Sequence, residues 1–124
     1  MSDRAPAEAV RAAIEAKPGA VAAPLASARG VTLYKVMGKM FAIVTLGRVQ
    51  SVILKCDPHL AEIMREQYAG VGHRSHLDRR FWISVTFDSD VPVDEIERLV
   101  AHSYDLVCAK LTRRQKAELA ALPA

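Results

Sequence analysis

The sequence is poor in cysteine, in aromatic residues and in long apolar runs. Only two cysteines occur among its 124 residues, Cys56 and Cys108, too few for the disulfide framework of a small secreted domain. No apolar run approaches the roughly 20 residues that cross a bilayer, and the N-terminal segment does not resemble a signal peptide. We therefore expect a soluble, cytoplasmic protein without a membrane partner.

Patterns that carry catalysis or hold a cofactor are also missing. The glycines of Gly70-Val-Gly72 are too few for a phosphate-binding loop and lack its strand–loop–helix context. Cys56 and Cys108 lie in apolar segments, as small hydrophobic residues do, rather than in the charged settings of reactive thiols. His102 and Ser103 adjoin on a predicted helix, where neighbouring side chains point in different directions. These absences favour a non-enzymatic protein that needs no cofactor.

One loose metal-ligand pattern occurs, a C-x2-H pair followed by an H-x2-H pair. It consists of Cys56, His59, His73 and His76, and zinc accepts thiolate and imidazole ligands. Cys56, however, ends an apolar strand, His59 opens a helix and the other two histidines lie in a polar loop. The interpretation without metal is therefore the better one, and we expect no metal site.

Three β-rich runs in the first half predict an antiparallel meander. They cover residues 31–37, 40–46 and 49–55, and their short connections each begin with glycine, as tight hairpins prefer. Residues 20–30, rich in small side chains, are expected to form a loop. A later run, Phe81–Phe87, alternates in polarity, with Phe81, Ile83, Val85 and Phe87 on one face and Trp82 on the other. If Phe81 faces the helices, Trp82 lies on the open face of the sheet.

Helix signals surround these strands. Pro18-Gly19 stops a first helix, Asp57-Pro58 supplies the N-cap and first residue of a second, and a third begins near Pro92. Thr112 and Gln115 form a capping box for a short final helix. The order α-β(3)-α-β(1–2)-α-α predicts one α+β domain over residues 1–124. We expect a two-layer sandwich with helices on one face of an antiparallel sheet and the other face open.

The basic residues are the most informative feature of the charge pattern. The net charge is +3 and the isoelectric point is near 9.1, a mildly basic balance that favours an anionic partner. His73–Trp82 places several cationic side chains directly before Trp82, and an exposed aromatic beside cations can stack on a base while the cations meet phosphate. Tyr34 is a second candidate aromatic for the open face.

At these residues the sequence resembles the MmcQ/YjbR family, small bacterial proteins described as DNA-binding. The similarity runs in order over residues 17–111 and leaves 112–124 as a C-terminal helical extension. The matching stretches are Leu33–Ala42, Leu54–Pro58, Leu60-Ala61, Arg65–Tyr68, His76–Trp82, Asp90–Pro92, His102–Val107 and Ala109-Lys110.

This resemblance implies a frataxin-like or secretion-chaperone-like shape and DNA binding through paired hairpins, a double wing. Here the wings are the connections at Gly38-Lys39 and Gly47-Arg48. The sequence departs from the family pattern at residues 22–26, at Asp78, where asparagine is usual, and at Phe81, where histidine is common.

The functional hypothesis is a DNA-binding protein that meets the phosphate backbone with its hairpin tips and the basic loop. The alternative is a protein- or peptide-binding domain that acts through the open sheet face or a sheet edge, including as a homodimer. The candidate nucleic-acid-binding residues are Lys39, Arg48, Arg74, His76, Arg79, Arg80 and Trp82.

Overall fold

The computed structural model describes residues 5–47 and 49–123. Within these ranges the chain forms helices and strands that alternate in groups. The helices are α1 (Pro6–Glu15), α2 (Pro58–Gln67), α3 (Val93–Ala109) and α4 (Arg113–Ala120). The strands are β1 (Ala20–Pro24), β2 (Val31–Val36), β3 (Lys39–Leu46), β4 (Gln50–Lys55), β5 (Val71–Gly72) and β6 (Trp82–Thr86).

All six strands belong to one antiparallel sheet, in the order β1-β2-β3-β4-β6-β5. The first four strands form a meander, and β6 adds to β4. The short strand β5 pairs with the far side of β6, so the chain crosses from β4 to β5 by way of α2. The predicted α+β class with an antiparallel sheet is therefore confirmed.

The prediction of a loop over residues 20–30 is wrong in its first half. Residues 20–24 form β1, which pairs in full with β2 from Ala20–Val36 to Pro24–Thr32. The alanine-rich composition gives little β signal, and Val21 on this edge strand is 61% exposed. The backbone hydrogen bonds that β2 offers decide the conformation here, which local propensity cannot reveal.

The two faces of the sheet differ in what covers them. The helix-side face carries side chains that are all fully buried, namely Tyr34, Val44, Val52, Leu54, Ile83 and Val85. They join one hydrophobic cluster with apolar residues of α1, α2 and α3. The alternate residues of the same strands define the open face, where Leu33, Ile43 and Trp82 are half-buried and the paired residues Ile53 and Ser84 are buried.

Helix α3 is the main partner of the sheet, since it contacts β2, β3 and β4 and also packs along α1. Its buried stripe is Ile96, Leu99, Val100, Ser103, Tyr104 and Val107. Tyr104 meets Phe41 edge to face, with ring centroids 5.3 Å apart and an interplanar angle of 83°. Such a pair adds roughly 0.5–1.5 kcal/mol to the free energy gained by burying the two rings.

The predicted helix starts are confirmed by their hydrogen bonds. The Asp57 carboxylate accepts from the backbone N–H groups of His59 and Leu60, and Pro58 takes the first helical position of α2. At α4 the reciprocal hydrogen bonds of Thr112 and Gln115 complete the capping box. Each cap satisfies amide groups that the first turn of a helix leaves unpaired.

Among the described residues, none of the helices is long and apolar enough to cross a membrane.

Candidate nucleic-acid interface

Strand directions bring several basic residues to one end of the sheet. Lys39 opens β3 opposite Val36, while Lys55 closes β4 opposite Trp82, the first residue of β6. Because neighbouring strands are antiparallel, these residues share one end, which we call the Trp82 end. The pair Leu46–Gln50 lies at the opposite end.

On the open face, a row of side chains crosses the Trp82 end. Lys35 of β2 pairs with Met40 of β3, and Lys55 of β4 pairs with Trp82. Residues directly opposite each other in a sheet point to the same side, with Cβ atoms about 5 Å apart. Ile83 and Leu54, next to the second pair, face the helices, so Lys55 and Trp82 point away from them. Trp82 thus lies on the open face, as its alternation predicts.

The lysines of this end have no carboxylate partner within residues 5–47 and 49–123. None of Lys35, Lys39 and Lys55 forms an ion pair there. Lys39 is exposed, and Lys35 and Lys55 are half-buried along their apolar stems. Their charges are therefore available to an anion.

The arginines of the loop before Trp82 are less available to an anion than the sequence suggests, because carboxylates lie close to them. Arg80 forms a two-pronged contact with Asp78, with Nε to Oδ1 at 3.1 Å and Nη2 to Oδ2 at 2.7 Å. These hydrogen bonds lower the pKa of Asp78 to about 2. Arg79 lines a shallow cavity of about 360 Å³ together with Glu62 and Glu66. Arg80 is therefore paired within the loop, and Arg79 lies beside two carboxylates of α2.

The remaining candidate residues are placed as follows. Arg74 and His76 are exposed in the loop that leads from β5 to Trp82. Arg48 lies outside the described residues, and the flanking pair Leu46–Gln50 is at the end of the sheet opposite Lys39. Tyr34 is not on the open face, because it is fully buried on the helix side, where its hydroxyl donates to Glu15 at 2.8 Å.

Hydrogen bonds hold the backbone of the Trp82 end in place. Three consecutive amides, beginning with the last residue of β4, each find a partner outside that strand. The Lys55 N–H donates to Ser103 Oγ at 2.9 Å, the Cys56 N–H to the Phe81 carbonyl at 2.8 Å, and the Asp57 N–H to His102 Nε2 at 3.1 Å. His102 and Ser103, which offered no catalytic geometry, thus position the segment that carries Lys55.

Arg65 of α2 supports β6 from the side. Its guanidinium Nη2 donates to the carbonyls of Arg79 and Trp82, at 2.8 and 3.0 Å. Burial is the first cause that lowers the pKa of Arg65, and the nearby Arg79 charge adds to it. Arg65 is therefore a structural cation that fixes the main chain on which Trp82 sits.

Phe81, which alternation puts on one face with Ile83 and Val85, precedes β6 and is exposed to 38%. It lines a pocket of about 410 Å³ at the Trp82 end. The other lining residues are Lys55, Cys56, Asp57, Pro58, Trp82, Leu106 and Lys110. The strand ends at Trp82, so no layer continues over residue 81. The Arg80 guanidinium lies 5.2 Å from the Phe81 ring centroid.

The thiol in this pocket is not a nucleophile at neutral pH. Cys56 is 1% exposed, and burial, with a smaller effect from Asp57, raises the pKa of its thiol to about 11. Within residues 5–47 and 49–123, no three His, Cys, Asp or Glu side chains are arranged to hold a metal ion. The described site thus offers cations, an aromatic ring and an apolar pocket.

Sequence reasoning missed Lys35, Lys55 and Lys110 as site residues. The signal for the first two was present, because alternation within their strands places both on the face opposite to Tyr34 and Leu54. Lys110 follows the apolar stripe of α3, and only the crossing of α3 over the sheet brings it to the pocket. That placement depends on tertiary packing.

Solved structures similar to this chain share the fold. A crystal structure of protein DR2400 from Deinococcus radiodurans superposes with a TM-score of 0.79 at 27% identity, covering 92% of this chain and 86% of that one. A Pseudomonas syringae protein gives a TM-score of 0.61 at 20% identity over 70% of this chain and 86% of its own. The second likeness concerns the fold alone.

Curated relatives are similar over a shorter stretch. The protein from Escherichia coli strain K12 that bears the name "Uncharacterized protein YjbR" is 36% identical over 74 residues, as is its counterpart from strain O157:H7. The match covers 59% of this chain and spans 63% of the length of each relative.

A family model matches a longer stretch of the sequence than these curated relatives do. The YjbR model matches residues 15–106, which include every strand of the sheet, the Trp82 end and α3 as far as Leu106. This range is close to the residues 17–111 expected from the motifs. The chain therefore belongs to the YjbR family.

Proposed function

We propose that this protein binds DNA through the open face at the Trp82 end of its sheet. The observation that carries the proposal is the cross-strand pair of Lys55 and Trp82, with Lys35 in the same row. An aromatic ring beside unpaired lysines offers stacking to a base and charge to the phosphates around it.

The lysines, rather than the loop arginines, supply the attraction for phosphate. Lys35, Lys39 and Lys55 have no ion-pair partner in the described part of the chain, whereas Arg80 is paired with Asp78. An arginine that is already paired with a carboxylate must give up that ion pair to bind phosphate, which reduces the free energy it contributes to DNA binding. Lys39 pairs with Val36, which is buried on the helix side, so Lys39 adds an exposed cation at the same end of the sheet, beside the row and outside it.

The test is a titration of fluorescein-labelled single-stranded and duplex DNA, followed by anisotropy at several salt concentrations. Each lysine that contacts phosphate should contribute about 0.7–0.9 to the slope of log K against log salt. We expect Lys39→Ala and Lys55→Met each to reduce the slope by about that amount. Methionine retains the apolar stem of Lys55.

Arg29→Ala is the matched control. Arg29 is exposed, lies between β1 and β2 at the end opposite Trp82, and forms no ion pair among the described residues. The variant removes one positive charge, as the lysine variants do, but from the end of the sheet opposite the proposed DNA site. The proposal fails when neither DNA binds at low salt, or when Arg29→Ala weakens binding as much as the lysine variants do.

A second candidate function is self-association through the edge strand β1. This strand pairs only with β2, so its outer backbone groups have no strand partner within the described residues. Val21 on this edge is 61% exposed, and an exposed apolar edge strand favours pairing with another chain. Light scattering tests the idea: a dimer that Val21→Lys converts to a monomer supports it, and a monomeric wild type contradicts it.

A further inference from the structure

We propose that the pocket beside Phe81 is a binding site for a small organic anion with an apolar body, such as an aromatic carboxylate. The pocket adjoins the open face, because Lys55 and Trp82 are among the residues that line it, together with Phe81, Leu106 and Lys110. The proposal does not depend on whether the protein binds DNA.

The walls of the pocket define the body of the ligand. Phe81, Leu106, Pro58 and Cys56 present aromatic, aliphatic and thiol surfaces. Its volume of about 410 Å³ lies within the range of roughly 300–1,000 Å³ usual for small-molecule sites, which are mostly apolar with a few polar groups. Phe81 is exposed at 38% although aromatic side chains usually avoid water. A flat apolar body placed against it would cover this surface.

The charges define the other end of the ligand. Lys110, at the C-terminal end of α3, and Lys55, at the rim, are the cations of the pocket, and neither has an ion-pair partner within the described residues. The one carboxylate is that of Asp57, which already accepts from two backbone N–H groups of α2. The unsatisfied charge of the pocket is therefore positive and suits an anion.

The walls are preformed, which reduces the entropy lost on binding. The main chain of Cys56 and Asp57 is fixed by the Phe81 carbonyl and by His102 Nε2. The Trp82 N–H donates to the Asp78 carbonyl at 3.0 Å and its own carbonyl accepts from Arg65. Both sides of the pocket are thus held before a ligand arrives.

The experiment compares three probes that separate charge from apolar body. Benzoate has both, benzamide lacks the charge and acetate lacks the ring. Trp82 is the only tryptophan of the sequence and adjoins the pocket, so its fluorescence reports occupancy, and ligand-observed NMR gives an independent signal. We expect benzoate to saturate with a Kd on the order of 1 mM or tighter and to bind about five-fold more tightly than either other probe.

Two variants test the roles of the walls. Lys110→Met retains an apolar side chain of similar length and should lower the affinity for benzoate to that for benzamide. Phe81→Ala should weaken the binding of benzoate and benzamide alike. Phe81→Tyr should restore the binding of both, which separates loss of the aromatic ring from a folding defect. Arg29→Ala should change nothing.

Equal affinity for benzoate and benzamide would overturn the proposal, as would an unchanged benzoate affinity in Lys110→Met. Absence of a saturable signal for benzoate at ten times the expected Kd would overturn it too. Binding of acetate as tightly as benzoate would show a bare anion site and would likewise contradict it.

Discussion

The Ser103 hydroxyl of α3 bridges Phe41 of β3 and Lys55 of β4. It donates to the Phe41 carbonyl at 2.6 Å and accepts from the Lys55 N–H at 2.9 Å. The pairing of the two strands stops at Ala42–Leu54, and the β2–β3 register shifts beside Phe41. The hydroxyl therefore replaces the strand-to-strand hydrogen bonds that are missing at the Trp82 end. It also joins α3 to the backbone of β3 and β4.

Replacement of Ser103 by alanine should reduce the free energy of unfolding by about 1–3 kcal/mol. The change leaves the Phe41 carbonyl and the Lys55 N–H without their partner, and a buried polar group that loses its hydrogen bond carries the cost of its desolvation. Urea denaturation measures the effect. Ser27→Ala, at an exposed position in the β1–β2 connection, is the control and should change stability by less than about 0.5 kcal/mol. Equal losses in both variants would contradict the bridging role.

Much of the fold was predictable from local signals. The glycines after β2 and β3 mark hairpins, and Gly38 takes the left-handed conformation that its turn requires, with φ of 81°. Asp57, Pro58, Thr112 and Gln115 act within their own helix starts, so their roles can be predicted from spacing alone. The apolar stripe of α3 follows from its period.

The remainder depended on tertiary contacts. Strand β1 exists because β2 pairs with it, and Phe81 is exposed because no layer extends past the first residue of β6. The bond from Ser103 to Phe41 joins residues 62 positions apart. Alternation led to the open face for Trp82 on the condition that Phe81 faces the helices, and the basic loop led to its arginines as cations beside Trp82. The pairing of Arg80 with Asp78 became visible only in the structure.

Acid should weaken the junction between α2 and β5 through Asp90. Its carboxylate accepts from the N–H groups of Ala69 and Gly70, both at 2.7 Å, and these bonds hold its pKa below the ordinary value of 3.8. Since the folded pKa is lower than the unfolded one, the stability it contributes is complete above about pH 4 and is lost as the pH falls through the folded pKa.

Asp90→Asn should therefore be less stable than wild type at neutral pH, with a difference that narrows in acid. Thermal unfolding followed by circular dichroism between neutral pH and about pH 3 measures it. Glu66→Gln is the control, because Glu66 is exposed and forms no ion pair among the described residues. A difference that stays constant with pH would show that Asp90 acts without its charge.

Alkaline pH should weaken the protein through the Cys56 thiol. Burial raises its pKa from 9.0 to about 11, so the stability gained by keeping it protonated is full below pH 9 and is lost as the pH rises toward 11. Wild type should lose more stability over that interval than Cys56→Ala does, by about 2–3 kcal/mol. In the folded protein at pH 8 the Cys56 thiol should react with a disulfide reagent far more slowly than after unfolding in urea, and equal rates would contradict its burial.

Phe81 and Trp82 both line the pocket, but only Trp82 belongs to the row on the open face, so substitutions should affect the two proposed activities differently. Trp82→Ala should weaken single-stranded DNA binding about ten-fold, the usual loss for one stacked base, and should weaken benzoate binding as well. Phe81→Ala should weaken benzoate binding and leave DNA binding within about two-fold of wild type. Labelled DNA reports the first activity and ligand-observed NMR the second, since Trp82→Ala has no tryptophan. Thermal unfolding of both variants checks that each remains folded. A loss of DNA binding in Phe81→Ala as large as that in Trp82→Ala would mean that one surface serves both ligands.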